Sequence, residues 1–370
     1  MRGNMTYSKE NVLGFRRLLM DWHKNQNRRV MPWKGETDPY KIWLSEIILQ
    51  QTRVEQGVQY YMRFINTFPT VQDLAHAQDQ VVFKMWEGLG YYSRCRNLLA
   101  TARTICSEFG GKFPADHQLL LKLKGVGPYT AAAIASFAYG LPHAVVDGNV
   151  IRVLSRYFLL DEVYDIPAGR KKFEQLARDC LDPQDAGTYN QAIMDFGATV
   201  CKPRDPACPQ CPLRAGCKAY IKGMETELPI RKLKPEKDKR SFVYLILTCN
   251  GKVWIKERNE KDIWRHLYEF YLVELADKHA LEGFDPSQYM IGMGLEPKSV
   301  MPLPRTFRQT LTHQVIQSRF FIVALYEPVE VAPEGRWVPL KSISKFPFPK
   351  TLNEAMVEWG RTPAKQHGGI

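Results

Sequence analysis

Four cysteines stand close together past the middle of the chain, and this cluster constrains the fold more than any other feature. Cys201, Cys208, Cys211 and Cys217 follow the spacing C-x6-C-x2-C-x5-C. The short central spacing lets two sulfurs converge on one centre, and the flanking cysteines complete a set of four thiolates. Unrelated free cysteines do not cluster in this way. The run therefore predicts a metal site, either a tetrahedral zinc or an iron–sulfur cluster, and ligand chemistry alone favours zinc.

The other cysteines are scattered, which argues against a disulfide-bonded protein. The sequence has no signal peptide, and no stretch approaches the ~20 apolar residues that a membrane-spanning helix requires. A chain of 370 residues is long enough for about two to three domains. We therefore expect a multidomain cytoplasmic protein with no membrane partner.

Positive charge is concentrated in the first part of the chain. The formal net charge is +12, and residues 1–225 hold 29 Lys/Arg against 22 Asp/Glu. Residues 231–240 add six basic and two acidic side chains, whereas residues 241–370 are nearly balanced at 16 to 14. Basic surfaces attract polyanions. This distribution favours nucleic acid as the partner, bound by the first domain and the segment after it.

The pattern of apolar residues changes after the cysteine cluster. Spacings of three and four residues predict helices over 12–23, 39–53, 58–68, 94–109 and 130–138. The basic, Pro-punctuated residues 226–240 are typical of a linker. Beyond it, β-branched and aromatic runs predict strands over 241–248, 252–256, 270–274 and 319–326, with one helix over 351–359. We predict an all-α domain over 1–225, a linker over 226–240 and an α+β domain over 241–362.

A glycine pair and an aspartate mark where chemistry is expected. Gly125 and Gly127 permit a tight helical hairpin whose backbone N–H groups face a helix N-terminus, which suits a phosphate. Asp147 follows an apolar run and precedes a Gly-Asn turn. Taken alone, this aspartate is typical of an N-cap on the helix predicted from Val150.

Together these motifs resemble the helix–hairpin–helix DNA glycosylase superfamily. The cysteine run resembles the cluster loop of the endonuclease III branch, which implies a [4Fe–4S] cluster rather than zinc. Within that branch the chain is most similar to the adenine DNA glycosylases of the MutY type. The similarity extends over nearly the whole chain and includes PW at 32–33, WLSE at 43–46, LQQT at 49–52 and GLGYYSR at 88–94.

The resemblance implies two catalytic carboxyl groups. Glu46 stands in an apolar helical segment, where burial raises the pKa of a carboxyl and keeps it protonated. The alternative is a glutamate on the helix surface. A protonated Glu46 can protonate adenine, Asp147 can stabilise or capture the oxocarbenium-like sugar, and Glu46 can then act as the base toward water. Asn149 is implied to position Asp147.

Tyr129 separates two activities within the branch. Bifunctional endonuclease III relatives have a lysine at this position, which forms a Schiff base and cuts the strand. A phenol cannot form that imine, and the nearby Lys124 lies on the first-helix side of the hairpin. We therefore predict a monofunctional glycosylase.

The resemblance also implies contacts with DNA. Gln51 and Tyr91 are implied to wedge into the duplex beside the base opposite the target, which lowers the cost of base flipping. Tyr91 can alternatively be a packing residue, and Trp33 a core residue. The implied adenine pocket comprises Arg29, Met31, Trp33 and Gln191. The other implied DNA contacts are Gln50, Thr52, Leu89, Gly125 and Gly127.

Residues 241–360 resemble the Nudix-like recognition domain of these glycosylases. A hydrolytic Nudix domain needs a helix dense in glutamates for Mg²⁺, but residues 268–283 carry only Glu269, Glu274 and Glu282. We therefore expect binding without hydrolysis. The family reads 8-oxoguanine through a Phe-Ser-His loop, which here is Leu311, Thr312 and His313. The hydroxyl and imidazole remain for the lesion, while leucine replaces the aromatic ring.

The expected partner is double-stranded DNA with an 8-oxoguanine:adenine or guanine:adenine mispair. The protein is expected to be a monomer on the nucleoid, with the metal holding basic residues of the cysteine loop against phosphates. The alternatives are a bifunctional glycosylase–lyase acting on damaged pyrimidines, a non-catalytic lesion-binding protein and a zinc-dependent nucleic-acid protein.

Overall fold

The computed structural model describes residues 7–232, 235–276 and 280–361. The chain forms two compact units, Met1–His76 with Arg96–Lys234 and Ala77–Cys95 with Pro235–Ile370. We call them the helical unit and the sheet unit. Residues 1–6 of the predicted first domain, 233 and 234 of the linker, and 277–279 and 362 of the second domain lie outside the described residues. The predicted domain limits stay predictions.

The segment Ala77–Cys95 packs with the sheet unit, although the sequence-based limits place it in the first domain. Glu87 explains this packing, because its carboxylate accepts hydrogen bonds from Phe348 N at 2.8 Å and from Asn353 Nδ2 at 2.9 Å. Lys84 Nζ donates to the carbonyl of Phe346 at 3.2 Å.

Twelve described α-helices precede the first strand. They are α1 (Lys9–Asn25), α2 (Pro39–Leu49), α3 (Val54–Thr67), α4 (Val71–His76), α5 (Asp79–Trp86), α6 (Tyr92–Phe109), α7 (His117–Lys122), α8 (Pro128–Tyr139), α9 (Gly148–Phe158), α10 (Pro167–Cys180), α11 (Ala186–Thr199) and α12 (Lys218–Lys222). The predicted helix over 39–53 is shorter than expected because Gln51 has a φ of +58°, which a right-handed helix cannot contain.

Capping side chains and buried stripes fix the helices that build the site. Asp38 accepts from Tyr40 N at 2.9 Å at the start of α2, and Asp185 accepts from Thr188 N at 3.3 Å at the start of α11. Helix α2 is apolar on nearly every side, so it lies in the interior of the helical unit. A core of α1, α8, α9, α10 and α11 side chains packs beside it, around Phe15, Phe158 and Phe196.

The sheet unit is an α+β unit with one mixed sheet. Its described strands are β1 (Asp238–Cys249), β2 (Lys252–Glu257), β3 (Tyr268–Glu269), β4 (Tyr271–Leu275), β5 (Pro297–Pro302), β6 (Phe307–Thr310), β7 (Gln314–Leu325) and β8 (Gly335–Pro339). Its other described helices are α13 (Ala280–Gly283), α14 (Pro286–Gly292) and α15 (Lys350–Arg361).

Strand β1 lies at the centre of this sheet. It runs parallel to β7 and antiparallel to β2 and β4, and its side chains are almost continuously buried. Strands β6 and β7 form an antiparallel hairpin in which Thr310 pairs with Val315. The hairpin therefore presents residues 311–314 at its tip. No helix in the described parts of the chain is long and apolar enough to cross a bilayer.

Candidate active site

The helical unit contains a cavity of about 730 Å³, a volume typical of ligand sites. Helices α2, α8 and α11, the start of α9 and the loop after α1 form its walls. The cavity brings together most of the predicted site residues of this unit: Arg29, Met31, Trp33, Glu46, Gln50, Gln51, Thr52, Tyr129, Asp147, Asn149 and Gln191. The sequence-based roles of these residues stay predictions.

Glu46 is a buried carboxyl on the cavity wall. Its side chain is only 7% exposed, so it does not lie on a helix surface. Its pKa is raised from 4.5 to about 7, with burial as the largest cause and the charge of the nearby Asp147 as a smaller one. A hydrogen bond from the Tyr129 phenol acts in the opposite direction. Glu46 can therefore hold a proton near neutral pH and release it without a large energy change.

Asp147 is both an N-cap and a wall of the cavity, so the two sequence readings of this residue are compatible. Its Oδ1 accepts from Asn149 N at 2.9 Å and Val150 N at 2.8 Å, at the start of α9. Its Oδ2 accepts from Asn149 Nδ2 at 2.7 Å. Burial raises the pKa of Asp147, and these hydrogen bonds and Arg152 oppose that rise. The donors stabilise the ionised form and hold it facing the cavity.

Tyr129 lies in the first turn of α8, directly after the glycine hairpin. Burial raises the pKa of its phenol well above 10, and the nearby Glu46 and Asp147 raise it further. The phenol is therefore a neutral hydrogen-bond donor next to Glu46 at any ordinary pH. Met194 Sδ lies 4.0 Å from the same hydroxyl.

Asp195 is a buried residue that holds two residues of the pocket wall, Arg29 and Lys34, and the sequence did not point to it. Its side chain is fully buried and pairs with Arg29 at 2.9 Å and Lys34 at 3.0 Å. It also accepts from Asn27 Nδ2 at 2.8 Å and Gln191 Nε2 at 3.0 Å. The buried carboxylate thus fixes two predicted pocket residues. Its only sequence signal is an acidic residue among apolar and small ones, four positions after Gln191.

Replacing Asp195 by Asn should destabilise the pocket wall. The change leaves Arg29 and Lys34 without their shared counter-charge, and we expect a loss of about 3 kcal/mol in the free energy of unfolding. Urea denaturation measures this. Asp21→Asn, an exposed change on α1, should stay within about 0.5 kcal/mol of the wild type. Equal stability of the two variants would show that the buried network around Asp195 does not stabilise the fold.

The predicted wedge residues share an unusual backbone conformation. Gln51 has a φ of +58° and Tyr91 a φ of +48°, in the left-handed region that non-glycine residues rarely adopt. Such strain is often found at functional sites. Gln51 is exposed, and Tyr91 is 46% exposed. Leu89, predicted to touch DNA, is instead only 7% exposed, and its role stays a prediction.

The glycine hairpin has the geometry expected for a close backbone contact. Gly125 has a φ of +80°, and a Cβ there would lie 2.7 Å from the Asn97 Cβ atom. Gly127 is the N-cap residue of α8, and a Cβ there would meet nothing within 4 Å. Only the first glycine is therefore required by packing, and the second leaves the helix N-terminus open.

In the sheet unit, Thr312 and His313 lie at the tip of the β6–β7 hairpin. The Thr312 hydroxyl is 3.0 Å from the Tyr91 hydroxyl, so two residues predicted separately to face the lesion side are in contact. Glu269 pairs with Arg258 in the interior, and Glu274 pairs with Arg240 at 2.6 Å. Helix α13 has four residues, and residues 277–279 before it lie outside the described residues.

The four clustered cysteines line one small pocket beside α9. Its other walls include Val153, Tyr157 and Phe196. In the described residues, no group of three or more His, Cys, Asp or Glu side chains is arranged to hold a single metal ion.

The donor set nevertheless fits a cationic cluster. Burial and the neighbouring thiols raise the pKa of Cys211 to about 12 and raise the pKa values of Cys208 and Cys217. Thiolates can persist together here only with compensating positive charge. Arg156 Nη1 supplies part of it, 3.4 Å from Cys201 Sγ.

Arg152 connects the cysteine loop to the candidate catalytic residues. From α9, its Nε donates to the Cys201 carbonyl at 2.7 Å and its Nη2 to Asn149 Oδ1 at 2.8 Å. One buried guanidinium therefore touches both the first cysteine of the loop and the residue that holds Asp147. The sequence-based reasoning did not identify it, because one arginine in an amphipathic helix carries no distinctive signal.

Comparison with known proteins agrees with this geometry. Residues 44–181 match the family of HhH-GPD superfamily base excision DNA repair proteins, and residues 242–357 match the NUDIX domain family. The adenine DNA glycosylase of Buchnera aphidicola subsp. Baizongia pistaciae is 34% identical over 264 residues, 70% of this chain and 74% of that protein. The adenine DNA glycosylase of Homo sapiens is 42% identical over 217 residues, 56% of this chain and 40% of that protein.

Solved structures resemble more than half of the chain. A thermostable thymine-DNA glycosylase matches with a TM-score of 0.53 and 29% identity, over 58% of this chain and 98% of that one. Endonuclease III in a non-covalent DNA complex matches with a TM-score of 0.51 and 21% identity, over 59% of this chain and 99% of that one, which shows the shared fold. With the paired carboxyls and the helical hairpin in place, these similarities mean that the chain belongs to the adenine DNA glycosylase family, within the helix–hairpin–helix DNA glycosylases of base excision repair.

Proposed function

We propose that this glycosylase removes adenine opposite 8-oxoguanine, and opposite guanine, by hydrolysing the N-glycosidic bond without cutting the strand. The observation that carries the proposal is the pairing of Glu46, whose pKa is about 7, with the hydrogen-bonded Asp147 in one cavity. One carboxyl can serve as an acid while the other stays ionised, which is the division of roles that glycoside hydrolysis requires.

The proposed reaction begins with proton transfer from Glu46 to N7 of a flipped adenine. The bond between N9 and the sugar C1′ then breaks, its electron pair leaves with the now neutral base, and C1′ develops positive charge. Asp147 stabilises or captures this carbon. Water finally attacks C1′, with the Glu46 carboxylate accepting its proton. Tyr129 donates a hydrogen bond to Glu46, which favours the carboxylate after it has given up its proton.

The proposed substrate is a duplex from which adenine has been extruded. Gln51 and Tyr91, held exposed with positive φ values, fit the role of filling the space left in the stack. Thr312 and His313 would read the opposite 8-oxoguanine by hydrogen bonds. The net charge of +12 supports binding to a polyanion. We propose a monomer working on the nucleoid.

The proposed cofactor is a [4Fe–4S] cluster held by Cys201, Cys208, Cys211 and Cys217. When bound, it supplies positive charge and a covalent cross-link for the loop. The loop in turn presents basic side chains to the DNA backbone: Lys202, Arg204, Arg214 and Lys218. No step of base removal is assigned to the cluster.

A single-turnover assay on duplexes that differ only in the base opposite adenine tests the proposal. We expect alkali-labile sites at 8-oxoguanine:A, slower cleavage at G:A and none at T:A. Borohydride should trap no covalent complex, because Tyr129 cannot form an imine. No product at 8-oxoguanine:A would refute the proposed function. Trapping on damaged-pyrimidine DNA would instead favour a glycosylase–lyase.

Because the chain is similar in structure to a thymine-DNA glycosylase, removal of thymine should be measured as well. A G:T duplex in the same assay measures it directly. We expect little product, because the proposed acid acts by protonating a purine N7, which thymine does not have. Faster release of thymine than of adenine would show that the enzyme removes a pyrimidine and would refute the proposed function.

A further inference from the structure

Two residues bind the backbone of the hairpin tip that carries Thr312 and His313. They are Lys237, just before β1, and Asp238, the first residue of β1. Lys237 Nζ donates to the Leu311 carbonyl at 2.7 Å. Asp238 N donates to the His313 carbonyl at 2.9 Å. Within the tip, Leu311 N donates to the Gln314 carbonyl at 2.8 Å. The carbonyls on both sides of Thr312 are therefore fixed by two adjacent residues of what the sequence indicates is a linker.

Lys237 differs from its neighbours in the basic segment. Its side chain is half-buried and its ammonium is engaged by a backbone carbonyl, whereas the side chains of Lys232 and Lys239 are exposed. A lysine that contacts phosphate needs its ammonium at the surface. A charge-assisted bond to a half-buried carbonyl instead fixes backbone position.

A second contact reaches the tip through a side chain of the segment Ala77–Cys95. Tyr91 and Thr312 approach each other at 3.0 Å through their hydroxyl groups, both of which are exposed. Such a contact is weak and can exchange with water or with a base. Lys237 and the Asp238 amide therefore provide the durable support, and Lys237 does so without occupying the hydroxyl or imidazole that would face the lesion.

We propose that Lys237 is a positioning residue for opposite-base specificity, setting the Thr312 hydroxyl and the His313 imidazole where they distinguish 8-oxoguanine from guanine. The proposal rests on the proposed function, since it assigns a role within the same recognition loop. Lys237 does not touch the base. It acts by limiting the conformations of residues 311–313, so that recognition does not first require ordering of the loop.

The test compares Lys237→Met and Lys237→Arg with the matched control Lys239→Ala. Methionine keeps the apolar stem and removes the donor, arginine keeps a cationic donor, and the control removes one exposed charge from the same segment. The readout is the ratio of single-turnover rates at 8-oxoguanine:A and G:A. We expect Lys237→Met to lower this ratio about tenfold, the effect of one charge-assisted hydrogen bond. Lys237→Arg should restore most of it, and Lys239→Ala should leave it unchanged.

A contact between Lys237 and phosphate predicts a different result. Binding would then weaken equally for both duplexes and the salt dependence would become less steep, with the ratio unchanged. That outcome, or equal ratios for Lys237→Met and Lys239→Ala, overturns the proposal.

Hydrogen exchange provides a readout that needs no activity. In free Lys237→Met, amides of residues 311–314 should exchange faster than in the wild type, while β1 amides from Tyr244 onward stay protected. If the wild type removes no adenine from either duplex, the proposed function fails whatever the exchange shows. Unchanged exchange together with an unchanged ratio in an active enzyme rejects the role of Lys237 alone.

Discussion

Replacing Glu46 by Gln is expected to lower the single-turnover rate of adenine removal about a thousandfold, the middle of the range for a general acid–base residue. The amide has nearly the shape of the carboxyl, so the cavity should be unchanged, but it can neither give a proton to N7 nor accept one from water. DNA affinity should stay close to that of the wild type. Retained activity would exclude the acid–base role.

The pH dependence of adenine removal provides a second test of Glu46 as the general acid. The pKa of Glu46 is raised to about 7 by burial, so its protonated form predominates below this value. The wild-type kcat/KM should therefore fall as the pH rises above about 7. In Glu46→Gln this alkaline fall should disappear from the residual activity. A wild-type profile that stays flat from pH 6 to 9 would show that another group supplies the proton.

The Glu46→Gln change, which lowers activity, should raise stability at neutral and alkaline pH. Because the pKa of Glu46 is raised from 4.5 to about 7, the folded state keeps a proton that the unfolded state releases between these values. The free energy of unfolding of the wild type therefore decreases across this pH window. Glu46→Gln lacks this penalty and should gain stability relative to the wild type as the pH rises through the window. Urea denaturation at pH 5 and pH 8 measures it, with the exposed Glu108→Gln as the control.

The sequence predicted the elements that have their own periodicity or turn chemistry. Helix α6 and strand β1 have long apolar patterns, and both are present close to the predicted positions. The short helices α4 and α7 and strands β6 and β8 were not predicted. They have four to six residues, too few for a period to be recognised, and they owe their stability to tertiary contacts.

The candidate site shows the same division between local and long-range signals. The carboxyls and cysteines could be found because each stands in a recognisable local context. Asp195, Arg152 and Lys237 could not, since each is defined by what it meets far along the chain. Asp195 meets Arg29 across 166 positions, and Lys237 meets Leu311 across 74. Only the fold brings such partners together.

Replacing Cys211 by Ser is expected to destabilise the helical unit before it affects the chemical step. The change removes the proposed cluster ligand whose side chain faces Cys201, Cys208 and Cys217 in the pocket beside α9. Loss of a bound metal centre removes its binding free energy from the folded state, so we expect a loss of more than about 4 kcal/mol. Iron content, visible absorption and thermal unfolding should all decrease. Cys106→Ser, a change of the same atoms outside the pocket, should leave all three close to the wild type.

The effect on function should appear first in DNA binding. Without its cross-link the loop can no longer hold Lys202, Arg204, Arg214 and Lys218 in place, so affinity should fall and its dependence on salt should become less steep. Protein that remains folded should still remove adenine at saturating enzyme, because Glu46 and Asp147 are unchanged. If the rate at saturating enzyme also decreases, the structural change in the loop extends to Asn149. Arg152 provides the connection, because it donates hydrogen bonds both to Asn149 and to the Cys201 carbonyl. Cys211→Ser that keeps its iron, its unfolding temperature and its DNA affinity would rule out the cysteine loop as a cluster site.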